Sequence, residues 1–134
     1  MIAALVVNGL IYGLGLNGQD DTFDRVWFAP PGWLVGCVWM VLYAFYGVAF
    51  AKARDTSARY WIVGLGVWGL LYPVTSGGFQ PYMGQLSNIV SWLFSLFVYI
   101  RVSRIAPAAA RWLIPSLMWI SFACVWGMVA FGQR

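Results

Sequence analysis

Residues 25–50 read RVWFAPPGWLVGCVWMVLYAFYGVAF. Two prolines close a short polar loop, and about twenty residues without a charge follow, seeded with Trp33, Trp39, Tyr43 and Tyr46. A bilayer core is about 30 Å thick and a helix rises about 1.5 Å per residue, so such a run reads as a membrane-spanning helix. Pro30 and Pro31 stand at its start, where a proline removes no bond that the helix needs.

The rest of the chain repeats this pattern. Of 134 residues, 62% are hydrophobic and 9% charged, whereas soluble domains carry roughly a quarter charged residues. The expectation is an all-α integral membrane bundle, one domain of five spans at about 2–18, 33–51, 60–76, 82–100 and 112–131. The first run has no basic leader and no Ala-x-Ala site, and reads as a retained helix with a close-packing pair at Gly9 and Gly13. The third carries Pro73, where a kink is expected, and ends at the break TSGGFQP. On the fourth, Ser87, Ser91 and Ser95 recur every fourth residue beside Asn88 and form a packing seam, with a polar transport path as the alternative.

Charge sets orientation. Six of the eight basic residues lie in or beside the second and fourth loops, the first loop holds Asp20, Asp21 and Asp24, and the third is uncharged. The positive-inside rule then puts the N-terminus and loops 2 and 4 in the cytoplasm, with loop 1 and the C-terminus outside. The net charge of +4 forms no single patch, and nucleic acid is set aside as a partner.

Absences narrow the chemistry. Histidine is missing, and with it the commonest general base and metal ligand, so no metal site is expected. Cys37 and Cys124 both fall in apolar runs and suggest no disulfide framework. No Asp, Glu, Lys or Arg lies inside any span, which argues against ion coupling. Neither a phosphate loop nor a Ser-His-Asp set is present.

Aromatic surface is what the spans do offer. Trp39, Tyr43 and Tyr46 make one stripe on the second span; Trp119, Phe122, Ala123 and Trp126 make another on the fifth. The third adds Trp61, Trp68 and Tyr72, the fourth Trp92 and Tyr99. On one helix such a stripe is more often packing than pocket. Several together suit a flat, apolar molecule held by stacking, with phenol and indole hydrogens as polar handles. Trp27 and Phe28, at the end of the first loop, suggest a lid over the bundle's outer end.

The segment RVWFAPPGWLVGCVWMVLYAFYGVAFA resembles the signature of the translocator protein family, also called tryptophan-rich sensory proteins or peripheral benzodiazepine receptors. That signature is Lys-Pro-x-Trp-x-Pro-Pro, then Trp, then Trp-x-x-Leu-Tyr; here Pro30, Pro31, Trp33, Trp39, Leu42 and Tyr43 match, while Arg25 and Phe28 replace Lys and Trp. In IPSLMWISFA, Pro115, Leu117, Trp119 and Ala123 match the family's Pro-Tyr-Leu-x-Trp-x-x-x-Ala, with Ser116 for Tyr. The Asn and Trp usual on the third helix appear as Trp68 and Leu71, and the Leu-Asn of the fifth as Trp126 and Gly127.

The resemblance implies a dimeric five-helix protein that binds porphyrins, and in some members sterols, in a pocket closed by the first loop. It makes Trp39 and Trp119 the stacking or reactive pair, with Tyr43 and Ala123 beside them. The candidate ligand-binding set is Trp27, Phe28, Pro31, Trp33, Trp39, Tyr43, Trp68, Tyr72, Trp119 and Ala123. No cofactor is required, and the expected partners are a porphyrin or other flat hydrophobic molecule, the bilayer and a second copy. Three functions stay open: a binding or sensory protein, a light- and oxygen-dependent porphyrin-degrading enzyme using Trp39 and Trp119, or a sterol-binding or purely structural subunit. Leu96, Tyr99 and Arg101 meet a loose cholesterol pattern.

Overall fold

The computed structural model describes Val6, residues 26–77 and residues 81–132. The predicted first span, most of the first loop and the Gly9 and Gly13 pair lie outside the described residues. Within them the secondary structure is helical throughout: α1 (Gly32–Lys52), α2 (Thr56–Gly77), α3 (Pro81–Ile105) and α4 (Pro107–Gly132). These correspond to the second to fifth predicted spans. Residues 33–52, 82–105 and 107–132 are each long and apolar enough to cross a membrane. The 22-residue α2 is about as long as α1, but its apolar surface is diluted by Gly64, Gly66 and Gly69.

Each helix outruns the apolar span that announced it, and the reasons are local. Pro31 caps α1 with extended backbone, and its carbonyl accepts from the N–H groups of Leu34 (2.9 Å) and Val35 (3.2 Å). Asp55 moves the start of α2 forward to Thr56, because its Oδ1 accepts the Ala58 N–H at 3.1 Å. The helix then continues through position 73 to Gly77. At the far end of α3, Arg101 and Arg104 belong to the helix, their long stems able to carry the charge to the membrane surface.

The last helix changes pitch for a reason written in its sequence. Pro115 has no N–H to give the Arg111 carbonyl four residues back. Between them the chain tightens to a 3-10 turn over Arg111–Leu113, and the Ile114 N–H takes that carbonyl instead. The α-helix resumes over Ile114–Gly132.

The four helices close a ring in which α2 packs on α3, α3 on α4, and α1 on α2. The fourth side differs, since α1 meets α4 chiefly at its opening turns, Pro107–Leu113. The buried core sits at that end, where Tyr46, Ala49, Ile62, Val98, Val102 and Leu113 meet. Lipid is as apolar as these side chains, so close packing and interhelical hydrogen bonds hold the ring, with little hydrophobic drive.

Candidate functional site

On α4, Ser116, Ile120, Ala123, Gly127 and Ala130 are buried at helical spacing, a stripe of mostly small residues that lets α3 come close. From α3, Asn88 Nδ2 donates to the Ala123 carbonyl at 3.1 Å and Gln85 Nε2 to the Cys124 carbonyl at 3.4 Å. Tyr72 of α2 donates to Asn88 Oδ1, so one amide joins three helices. A β-carbon at Gly127 would run into the Gln85 side chain. The position where the resembling family has Asn is thus filled from α3 by a neighbouring amide.

The serine seam foreseen on the fourth span is buried within this chain. Ser91 Oγ accepts the Trp68 indole N–H at 2.8 Å, and Ser87 and Ser95 are 7% and 4% exposed. One residue on, about 100° around the helix, Trp92 Nε1 donates to Ser121 Oγ at 2.9 Å, and Ser121 passes its own hydrogen to the Leu117 carbonyl at 2.8 Å. These two indole donors at membrane depth therefore have partners, as a medium without water demands.

The second aromatic cluster faces α2. Trp39 stacks at a tilt on Tyr43 (6.1 Å) and Tyr72 (5.6 Å), and Tyr43 donates to the Gly66 carbonyl at 3.2 Å. Gly69 makes room for both rings, because a β-carbon there would lie 2.8 Å from the Tyr43 hydroxyl and 3.1 Å from the Trp39 ring. Tyr46 shares a hydrogen bond with Ser116, the tie that fixes α1 to α4 just beyond the 3-10 turn.

Past that tie α1 and α4 flank an apolar groove of about 570 Å³, within the size range usual for small-molecule sites. Leu34, Cys37, Val38, Val41 and Phe45 form one wall; Pro115, Met118, Trp119 and Phe122 form the other. Trp119 and Phe122 lie 5.5 Å apart with rings 31° from parallel, and Trp126 continues the column at 6.3 Å from Phe122. Phe28, from the segment entering α1, reaches Phe122 at 6.3 Å, and Trp27 meets Phe28 edge-on at 5.3 Å. Val26 anchors this segment, being only 2% exposed.

The sequence-derived candidates therefore fall into separate settings. Trp119 lines the groove and Phe28 stands by its aromatic column, while Trp39, Tyr43, Trp68 and Tyr72 belong to the contacts of α2. Ala123 is buried in the seam with α3, and its carbonyl is the functional atom there. Trp27, Trp33 and Pro31 are exposed, the tryptophans at 89% and 71%. The helical period explains the separation of the two matching tryptophans. Residue 39 lies about 130° around α1 from the mean direction of residues 38 and 41, so the face with Trp39 turns to α2 when Val38 and Val41 face the groove.

Most of the groove wall is aliphatic and was not singled out from sequence, since Leu34, Val38 and Val41 look like any lipid-facing residues. Phe122 and Pro115 did carry a signal, in the aromatic stripe and in the family-like segment. Cys37 and Cys124 are free thiols. Among the described residues no group of three or more His, Cys, Asp or Glu could hold a metal.

The chain is similar to the tryptophan-rich protein TspO of Chlorobaculum tepidum, 30% identical over 103 residues, 70% of this chain and 65% of that protein. The chain thus spans less than two thirds of that relative's length. No solved structure matches it. Residues 1–130 match the TspO/MBR family, and with three helices among the described residues fit to cross a bilayer the chain belongs to that family as an integral membrane protein.

Proposed function

We propose that this protein captures a flat, apolar ligand of the porphyrin class in the groove between α1 and α4 and serves as a membrane-embedded binding or sensory protein. The observation that carries the reading is the groove's aromatic wall: Trp119 and Phe122 with rings 31° from parallel, opposite a largely aliphatic wall on α1. A flat macrocycle gains stacking on one side and close apolar contact on the other. Phe28 lies where it can cover the ligand, which gives the end of the first loop its role as a lid. In this reading the basic loops face the cytoplasm, and the lid faces outward.

Binding is favoured over degradation by the tryptophans themselves. A reaction using Trp39 and Trp119 together needs both indoles at the ligand, and Trp39 is engaged with Tyr43, Tyr72 and the surface of Gly69. Trp119 alone faces the groove.

Titration of the purified full chain with protoporphyrin IX, followed by tryptophan quenching, tests the reading. Saturable quenching is expected in the wild type and its loss in Val41→Trp, which fills the groove. Unchanged binding in a folded Val41→Trp protein rejects the site. Illumination of the bound sample in oxygen then separates capture from degradation, because a porphyrin spectrum that decays faster than in detergent alone restores the enzyme reading.

A further inference from the structure

The outer face of α3 takes no part in the groove or the polar seam. Leu86, Val90, Leu93 and Phe97 are 49%, 40%, 55% and 46% exposed and recur at helical spacing, forming a column that ends beneath Arg101 and Arg104. The Arg101 guanidinium stands 5.9 Å from the centre of the Phe97 ring, and Trp61 of α2 meets that ring edge-on at 5.1 Å, walling one side. Three positions apart, the two arginines point within about 60° of each other.

Among the described residues no carboxylate pairs with them. Both are exposed, and Asp55, the one carboxylate side chain among the described residues, uses Oδ1 on the Ala58 N–H. Lys52, Arg54 and Arg111 add to the positive field at this end. The cholesterol-like pattern does not account for the arrangement, because Leu96 and Tyr99 lie about 140° and 160° around the helix from Arg101. Those three residues share no face.

We propose that this face binds an anionic phospholipid, its phosphate held by Arg101 and Arg104 and an acyl chain laid along Phe97, Leu93 and Val90. Guanidinium forks match phosphate oxygens, and a phosphate adjoining an apolar column is the chemistry of a lipid and not of a free anion. The dimensions agree, since Val90 lies about 16 Å along the axis from Arg101, about half the hydrocarbon thickness and so one leaflet deep. A soluble acidic partner would meet the arginines and leave the column uncovered.

The test uses the full chain in detergent with equimolar phosphatidylglycerol and phosphatidylcholine, retained lipid being counted by native mass spectrometry. Phosphatidylglycerol is expected to exceed phosphatidylcholine about thirtyfold, two arginines each contributing on the order of 1 kcal/mol toward an anionic headgroup. Arg101→Gln with Arg104→Gln should bring the ratio near parity, while Arg54→Gln with Arg111→Gln keeps most of it. Equal losses in the two double variants would show a diffuse field and overturn the site. Parity in the wild type overturns it without any variant, as does full displacement of phosphatidylglycerol by inorganic phosphate or by a soluble acidic peptide.

Discussion

The two flanks of α4 are one helix turned toward two neighbours. Toward α3 it offers Ala123 and Gly127, and the gap is closed by the amides of Gln85 and Asn88 reaching its carbonyls. Toward α1 it offers Met118, Trp119 and Phe122, and beyond the Tyr46–Ser116 tie a groove separates the helices. Small side chains admit a neighbouring backbone, and large rings hold it off. One flank therefore supplies rigidity and the other supplies space, and the same turn of helix serves both.

Removing the amide that joins three helices should break the closed flank first. Asn88→Leu forfeits the bonds to Tyr72, Gln85 and Ala123, and at the roughly 0.6 kcal/mol average for hydrogen bonds in membrane helices the loss is about 2 kcal/mol. Unfolding in mixed micelles measures it, with the wild-type affinity for protoporphyrin IX expected to hold in the folded fraction. An affinity that falls as steeply as the stability would show that seam and groove are one unit.

A smaller loss is expected where α1 meets α2. Gly69→Ala presses a methyl against Tyr43 and Trp39, and overpacking of this kind costs about 1.5 kcal/mol. The same unfolding assay reads it, and no change would mean that the Trp39 stack is loosely held.

The open flank is probed by Trp119→Ala, which deletes the groove's stacking surface. Affinity for protoporphyrin IX should drop about tenfold, near 1.4 kcal/mol, with little change in unfolding. Trp39→Phe should reverse that pattern. If Trp39→Phe weakens binding as much as Trp119→Ala does, the two indoles share the ligand after all. Least of all, Ser121→Ala should cost about 0.6 kcal/mol by stranding the Trp92 indole, a value that calibrates the seam bond by bond.

Much of this was legible beforehand. The apolar runs located α1 to α4 to within a few residues, and the serines at every fourth position announced a seam that is indeed buried. Helix ends were less legible, because Asp55 as a cap and the Pro115-driven turn act over three or four residues and leave no trace in hydropathy. The groove was legible only in part. Trp119 and Phe28 were visible as aromatics, yet aliphatic Leu34, Val38 and Val41 become a wall only when another helix stands away from them. The resemblance joined Trp39 to Trp119 as a pair, and the structure gives their rings different partners.

What the residues determined by themselves was composition by face. A run of apolar side chains too long and too uncharged for water must be a helix in lipid, and the helical period then fixes which residues stand together on it. The tertiary structure alone decided which neighbour each face would meet. That choice depends on how near two backbones can come, so Gly69 on α2 sets the place of Tyr43 on α1 and Gly127 on α4 that of Gln85 on α3. A contact between residues dozens of positions apart has no period to betray it.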